Sequence, residues 1–203
     1  CGEIISAAVM AATLQSMGHP AVALMGGQAG IITDGVFGNA RIVSVNPDVM
    51  LEIISRGEIP VVTGFQGVDS TSAAGLTTLG RGGSDTTAAA LGAALNASAV
   101  EIYTDVDGVK TADPDMVPGA RTLDYCTYEE VAEIAHQGAK VVHPRAAEIA
   151  MDHGIPLWVK STFTEHPGTC IIAQDLAPGH VRHRITGVTH TGKVAFIRLE
   201  IPN

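Results

Sequence analysis

Thr78-Leu79-Gly80-Arg81-Gly82-Gly83-Ser84-Asp85 sets a glycine turn, one guanidinium and one carboxylate just ahead of an alanine-rich run from Thr86 to Leu95. Glycines let backbone amides approach an anion closely, and a helix start adds about half a positive charge aimed at it. Arg81 can grip a carboxylate or phosphate through two parallel hydrogen bonds. Asp85 can orient a neighbouring lysine or a metal-bound water. A plain glycine turn with Ser84 as an N-cap fits the same stretch, so the loop by itself leaves both readings open.

The flanking pattern says what must position this loop. Ile4 to Met17 has apolar residues at helical spacing and stops at Gly18. Ala21 to Met25 reads as a short buried strand, with Ile31-Ile32 and Arg41 to Val45 as strand pieces around the Asp34-Gly35 turn. Asn46-Pro47 opens a helix that ends near Gly57, and Ile59 to Thr63 is a β-branched strand running into Gly64-Phe65-Gln66-Gly67. Asp69 to Gly75, rich in Ser, Ala and Gly, reads as a loop. Helix Ser84 to Asn96, strand Val100 to Thr104 and the Asp107-Gly108 turn follow. Thr127 and Glu130 have capping-box spacing; Pro144 starts a helix that ends at Gly154; Pro156 to Lys160 and Thr169 to Ile172 are strands. Such alternation predicts an α/β fold, a mainly parallel sheet with helices on both faces. Ligands on such sheets gather at the carboxyl ends of strands. Gly64 to Gly67 and Thr104-Asp105 both fall there.

Composition narrows the partners. The 203 residues carry 12 Lys and Arg against 21 Asp and Glu, a formal net charge of -9, which argues against nucleic acid and anionic membrane. An acidic chain that binds an anion must concentrate its few cations, which singles out Arg81 and Lys140. With 46% hydrophobic residues and only 4% aromatic ones, the core is aliphatic, and no apolar run is long enough to span a bilayer. Cys1, Cys126 and Cys170 form no CxxC and no even set, as expected of reduced thiols in a cytoplasmic protein. His180 and His183 form an HxxH with no further ligands nearby, so no metal site is expected. No GxxxxGK[ST] occurs, which excludes a P-loop.

The Gly80 to Asp85 loop resembles the substrate loop of aspartate kinases, within the amino-acid kinase superfamily. Further matches follow in family order: Gly2-Glu3, Gln28-Ala29-Gly30-Ile31, Gly38-Asn39-Ala40-Arg41, Gly64-Phe65-Gln66-Gly67, Thr104-Asp105-Val106-Asp107-Gly108, Thr111-Ala112-Asp113-Pro114 and Gly138-Ala139-Lys140-Val141-Val142-His143-Pro144. The resemblance runs from Gly2 to about Gly187. It implies the family's three-layer sandwich and phosphoryl transfer from ATP with Mg2+ to the side-chain carboxylate of L-aspartate, giving 4-phospho-L-aspartate. That reaction opens lysine, threonine and methionine biosynthesis. The family also implies a homo-oligomer, dimer or larger, and allosteric control. By the same resemblance, Glu3 meets the substrate ammonium and Arg81 a substrate carboxylate, with Gly82, Gly83 and Ser84 completing the loop. Asp85 organises catalytic lysines, and Lys140 lies on the ATP phosphates. Thr104, Asp105, Lys110 and Val141 join Lys140 around the nucleotide. His143 reads as structural. Acetylglutamate, glutamate or UMP kinases are the alternatives, as is a non-catalytic nucleotide- or amino-acid-binding module.

Two departures from the family pattern stand out. Asp115 follows Asp113-Pro114 where the family commonly places an arginine that reaches the nucleotide; Lys110 is expected to supply the missing charge. The family's opening Lys-Phe-Gly-Gly-Thr-Ser has no counterpart in residues 1–25, which contain neither lysine nor arginine. The expectation is therefore a fragment, inactive or nearly so alone. Its divisions are a catalytic domain lacking its N-terminal part over 1–175, a linker over 176–184, and the start of an ACT-type regulatory domain over 185–203. Ile185 to Val188 and Val194 to Ile201 are read as the first strands of that domain.

Overall fold

The computed structural model describes residues 1–136, 141–176 and 185–189. The order is α1 (Gly2–Ser16), β1 (Ala21–Leu24), β2 (Ile31–Thr33), β3 (Ile42–Val45), α2 (Asp48–Ser55), β4 (Ile59–Val62), β5 (Gln66–Asp69) and β6 (Ser72–Thr78). Then come α3 (Gly83–Ala94), β7 (Val100–Thr104), β8 (Tyr125–Thr127), α4 (Tyr128–His136), α5 (Pro144–Asp152), β9 (Leu157–Ser161) and β10 (Thr169–Ile172). This is an α/β fold, but the described strands divide into three sheets: β1-β4, β3-β2-β5-β6 and β7-β9-β10-β8. Parallel ladders join β1 to β4, β2 to β5, β7 to β9 and β8 to β10. The β2–β3, β5–β6 and β9–β10 ladders are antiparallel.

Local chemistry sets the helix ends. Asn46 Oδ1 accepts the Asp48 N–H at 3.0 Å just ahead of α2, whose N-cap is Pro47. At α4 the capping box closes both ways: the Thr127 N–H donates to Glu130 Oε2 at 2.8 Å and the Glu130 N–H to Thr127 Oγ1 at 3.2 Å. His143 is the N-cap of α5, its Nδ1 accepting from the Arg145 N–H at 3.4 Å, with Pro144 beginning the helix.

Two expectations fail. Residues 69–75 are not a loop: Gln66–Asp69 and Ser72–Thr78 form a hairpin, because pairing along the β5 edge outweighs the weak strand preference of Ser, Ala and Gly. Residues 185–189 form no strand; they lie along the rest of the chain, with the Val188 N–H donating to the Thr111 carbonyl at 2.9 Å and Thr186 Oγ1 to Glu130 Oε1 at 2.5 Å. The expected strand Val194 to Ile201 lies outside the described residues.

The larger core packs Val100 and Ile102 of β7, Leu157 and Val159 of β9 and Ile171 of β10 against Ala89 of α3, Val131 of α4, and Ala146 and Ala150 of α5. Each fully buried Leu or Ile contributes about 1.5–3 kcal/mol. Period-two alternation leaves Glu101, Tyr103, Trp158 and Lys160 on the opposite face. A smaller cluster of Leu24, Ala29, Met50 and Ile53 also takes in Leu91 of α3 and its C-cap Leu95, so α3 serves both cores. The buried residues of α3 and α5 are Thr, Ala and Gly, and this lack of bulk lets the two helices pack directly on each other. Cys126 and Cys170 are buried. Desolvation, with help from Glu130, pushes the Cys126 thiol up to about 12, and desolvation raises Cys170 too, so neither supplies a thiolate. No described helix is long and apolar enough to cross a membrane.

Candidate functional site

β6 ends at Thr78; Leu79, only 1% exposed, follows it, and the chain then turns through Gly80 (φ +76°) and Gly82 (φ +65°) into α3. Both glycines sit in the left-handed region, where an L side chain is strained. Gly82 is also pressed against a neighbour: a Cβ there would lie 2.1 Å from a His143 ring carbon. Gly82 is the N-cap and no side chain caps α3, so amides of its first turn are left for a ligand.

The Gly64-Phe65 turn closes over this start. A Cβ on Gly64 would approach Ser84 Oγ at 3.1 Å, and one on Gly83 would meet the Phe65 ring at 2.6 Å. Phe65 itself holds φ +69°, a strained value for a bulky residue. Its N–H donates to Thr87 Oγ1 at 3.0 Å and its carbonyl accepts the Leu79 N–H at 3.0 Å, while Thr87 Oγ1 donates to the Gly83 carbonyl at 2.7 Å. The turn and the helix start are thus one hydrogen-bonded unit.

Asp85 lies in the first turn of α3, and its Oδ2 accepts the His143 N–H, one residue ahead of α5, at 3.2 Å. The carboxylate therefore sits where two helix N-termini both favour negative charge. Arg81 is exposed and its side chain makes no hydrogen bond or ion pair among the described residues. It is available to an anion. Arg145 donates to the Leu79 carbonyl and to Asn39 Oδ1, each at 3.4 Å. Beside this junction a cavity of about 370 Å³ is lined by residues that include Ala40, Arg41, Thr86, Arg145 and Glu148, and among the described residues by none of the site residues expected from sequence.

The other expected residues lie apart from this unit. Glu3, in the first turn of α1, makes no polar contact with the 80–85 loop among the described residues. Thr104 closes β7, donating from Oγ1 to Asp105 Oδ1 at 3.1 Å, and its carbonyl accepts the Thr162 N–H at 2.8 Å. Lys110 Nζ stands 4.0 Å from Asp107 Oδ2 and donates to Thr122 Oγ1 at 3.4 Å; Asp115 accepts nothing from it. The Val141 side chain packs on the larger core, which leaves its backbone for any ligand contact. Lys140 lies outside the described residues. Sequence reasoning quoted Asn39 and Phe65 only within family motifs and gave neither a role, and it missed Arg145 altogether. A strained non-glycine φ leaves no trace in residue type, and the partners of Arg145 are 66 and 106 residues away.

The chain is 46% identical over 198 residues to an aspartokinase of Mycobacterium tuberculosis, covering 98% of this chain and 47% of that protein. Identity to aspartokinase 1 of Bacillus subtilis is 43% over 202 residues, covering 98% of this chain and 50% of that protein. The chain therefore spans about half the length of these curated relatives. The structure of Escherichia coli aspartokinase III in complex with aspartate and ADP superposes with a TM-score of 0.78 at 34% identity, covering 85% of this chain and 39% of that one. The sequence profile of the amino acid kinase family matches residues 1–161, and the chain belongs to that family.

Proposed function

We propose that the protein is an aspartate kinase, in which these residues supply the acceptor loop and much of the nucleotide face. Transfer forms a bond between a side-chain carboxylate oxygen of L-aspartate and the γ-phosphorus of ATP. It breaks the bond from that phosphorus to the β,γ-bridging oxygen, and ADP leaves. Such a step needs two anions held in line and the spreading charge neutralised. Arg81 holds one carboxylate of aspartate on a bidentate fork, and Glu3 takes its ammonium. The Ser84 amide, which no side chain caps, adds a donor, with Gly82 and Gly83 shaping the turn. Asp85 orients the cations that meet the phosphoryl group, Lys140 among them. Thr104, Asp105, Lys110 and the Val141 backbone border the nucleotide, and Mg2+ bound with it would supply further charge neutralisation.

One observation carries the reading: Gly82 and Asp85 of the acceptor loop both touch His143, two residues after Val141 of the nucleotide segment. Acceptor and donor elements meet at one backbone junction. Assembly as a dimer or larger oligomer, and the division into 1–175, 176–184 and 185–203, belong to the same proposal. The full-length protein, given ATP, Mg2+ and L-aspartate, is expected to release ADP only when aspartate is present. Hydroxylamine should then trap the acyl phosphate as a hydroxamate. ADP release that responds to UMP or N-acetylglutamate but not to aspartate would overturn the assignment.

A further inference from the structure

The His143-Pro144-Arg145 corner holds every turn of the acceptor loop from the far side. The Leu79 peptide is fixed at both ends, its N–H on the Phe65 carbonyl and its carbonyl on the Arg145 guanidinium. Gly80 rests on Asn39: a Cβ there would lie 3.1 Å from Asn39 Oδ1, the atom that also accepts from Arg145. Gly82 abuts the His143 ring, and Asp85 takes the His143 N–H. Two left-handed glycines give the loop little stiffness of its own. Its shape therefore depends on these outside ties, and a guanidinium suits the task because one planar group can donate to two acceptors at once.

We propose that Arg145 is a positioning residue for the acceptor: by bracing Leu79 and Asn39 together it fixes the direction in which Arg81 presents its guanidinium. It touches neither substrate and acts through the loop. A ligand held by Arg81 feels the loss of Arg145, whereas a nucleotide bordered by Thr104 and Asp105 does not. The kinetic part of this inference rests on the aspartate kinase reading; the structural part stands without it.

The test compares wild type, Arg145→Ala and Arg145→Lys in the full-length protein. Arg145→Ala should raise KM for aspartate roughly tenfold or more, as misplacement of a substrate-holding group does, while KM for ATP stays within about twofold. Arg145→Lys, a single-point donor, should recover part of the loss and also guards against a variant that fails to fold. Amide exchange supplies a readout independent of activity. In Arg145→Ala the Gly83 and Thr86 amides, bonded to the Gly80 and Gly82 carbonyls, should exchange faster, with β9 unchanged. Equal rises in both KM values, or exchange at Gly83 and Thr86 identical to wild type, would overturn the proposal. A wild type that ignores aspartate would sink the functional reading instead, and exchange alone would then decide this one.

Discussion

The proposed acceptor loop at 79–85 and the strand end at 104–110 are built on different principles. The loop is held by backbone geometry and close packing, with left-handed glycines against a histidine ring and peptide groups tied at both ends. The strand end is a chain of partly exposed polar side chains: Thr104 to Asp105, Thr164 to Asp107, and Lys110 beside Asp107. A site made of backbone tolerates almost no added volume, whereas one made of side chains trades charges at small cost. The first should fail steeply on mutation and the second by degrees.

The sharpest break comes at Gly82. Gly82→Ala places a methyl 2.1 Å from the His143 ring at a φ of +65°, so the helix start or the α5 corner must move. Turnover with aspartate should fall about 100-fold, measured as kcat/KM; a loss under about threefold would show that the loop is not held by packing. At the strand end, Lys110→Ala should weaken ATP binding by roughly threefold to tenfold, as removal of one partly exposed cation does. Asp115→Arg in that background should restore it. Calorimetric titration reads both, and unchanged affinity in Lys110→Ala would end the idea that Lys110 stands in for the family arginine.

The smallest effect is expected on the outer face of the β7-β9 pair. There Lys160 donates to Glu101 at 2.5 Å, Tyr103 Oη donates to the same carboxylate at 2.9 Å, and Lys160 lies 5.4 Å from the centre of the Trp158 ring. The Lys160 and Tyr103 hydrogen bonds hold the Glu101 carboxyl below its ordinary value of 4.5. A depressed carboxylate contributes stability that is present above that value and fades as pH falls through the lowered one. Glu101→Gln should lower Tm by about one degree at pH 7, as expected of an exposed pair. The deficit should shrink in acid; one that grows there would contradict the assignment.

The fold was legible wherever a local rule acts alone. Thr127 and Glu130 announce their capping box, Pro144 its helix start, and Val100 to Thr104 its strand, because each depends on neighbours in sequence. β6 was hidden because its Ser-, Ala- and Gly-rich start has little strand preference, and the strand is set by pairing of Ser72 and of Leu76 to Thr78 with β5. β8 was hidden because three residues carry no period. In the candidate site the glycines and Arg81 stood out by type. His143 was readable as packing or capping and does both. Arg145 could not be found that way, since nothing near it in sequence marks an arginine that braces residues 39 and 79.

The contact between Gly82 and the imidazole of His143 binds the history of two distant positions. A lineage that gained any side chain at 82 would first have to give up the ring at 143, and a larger ring at 143 would forbid all but glycine at 82. The pair should drift together or stay still, which makes their joint variation among relatives a record of whether this junction has been kept.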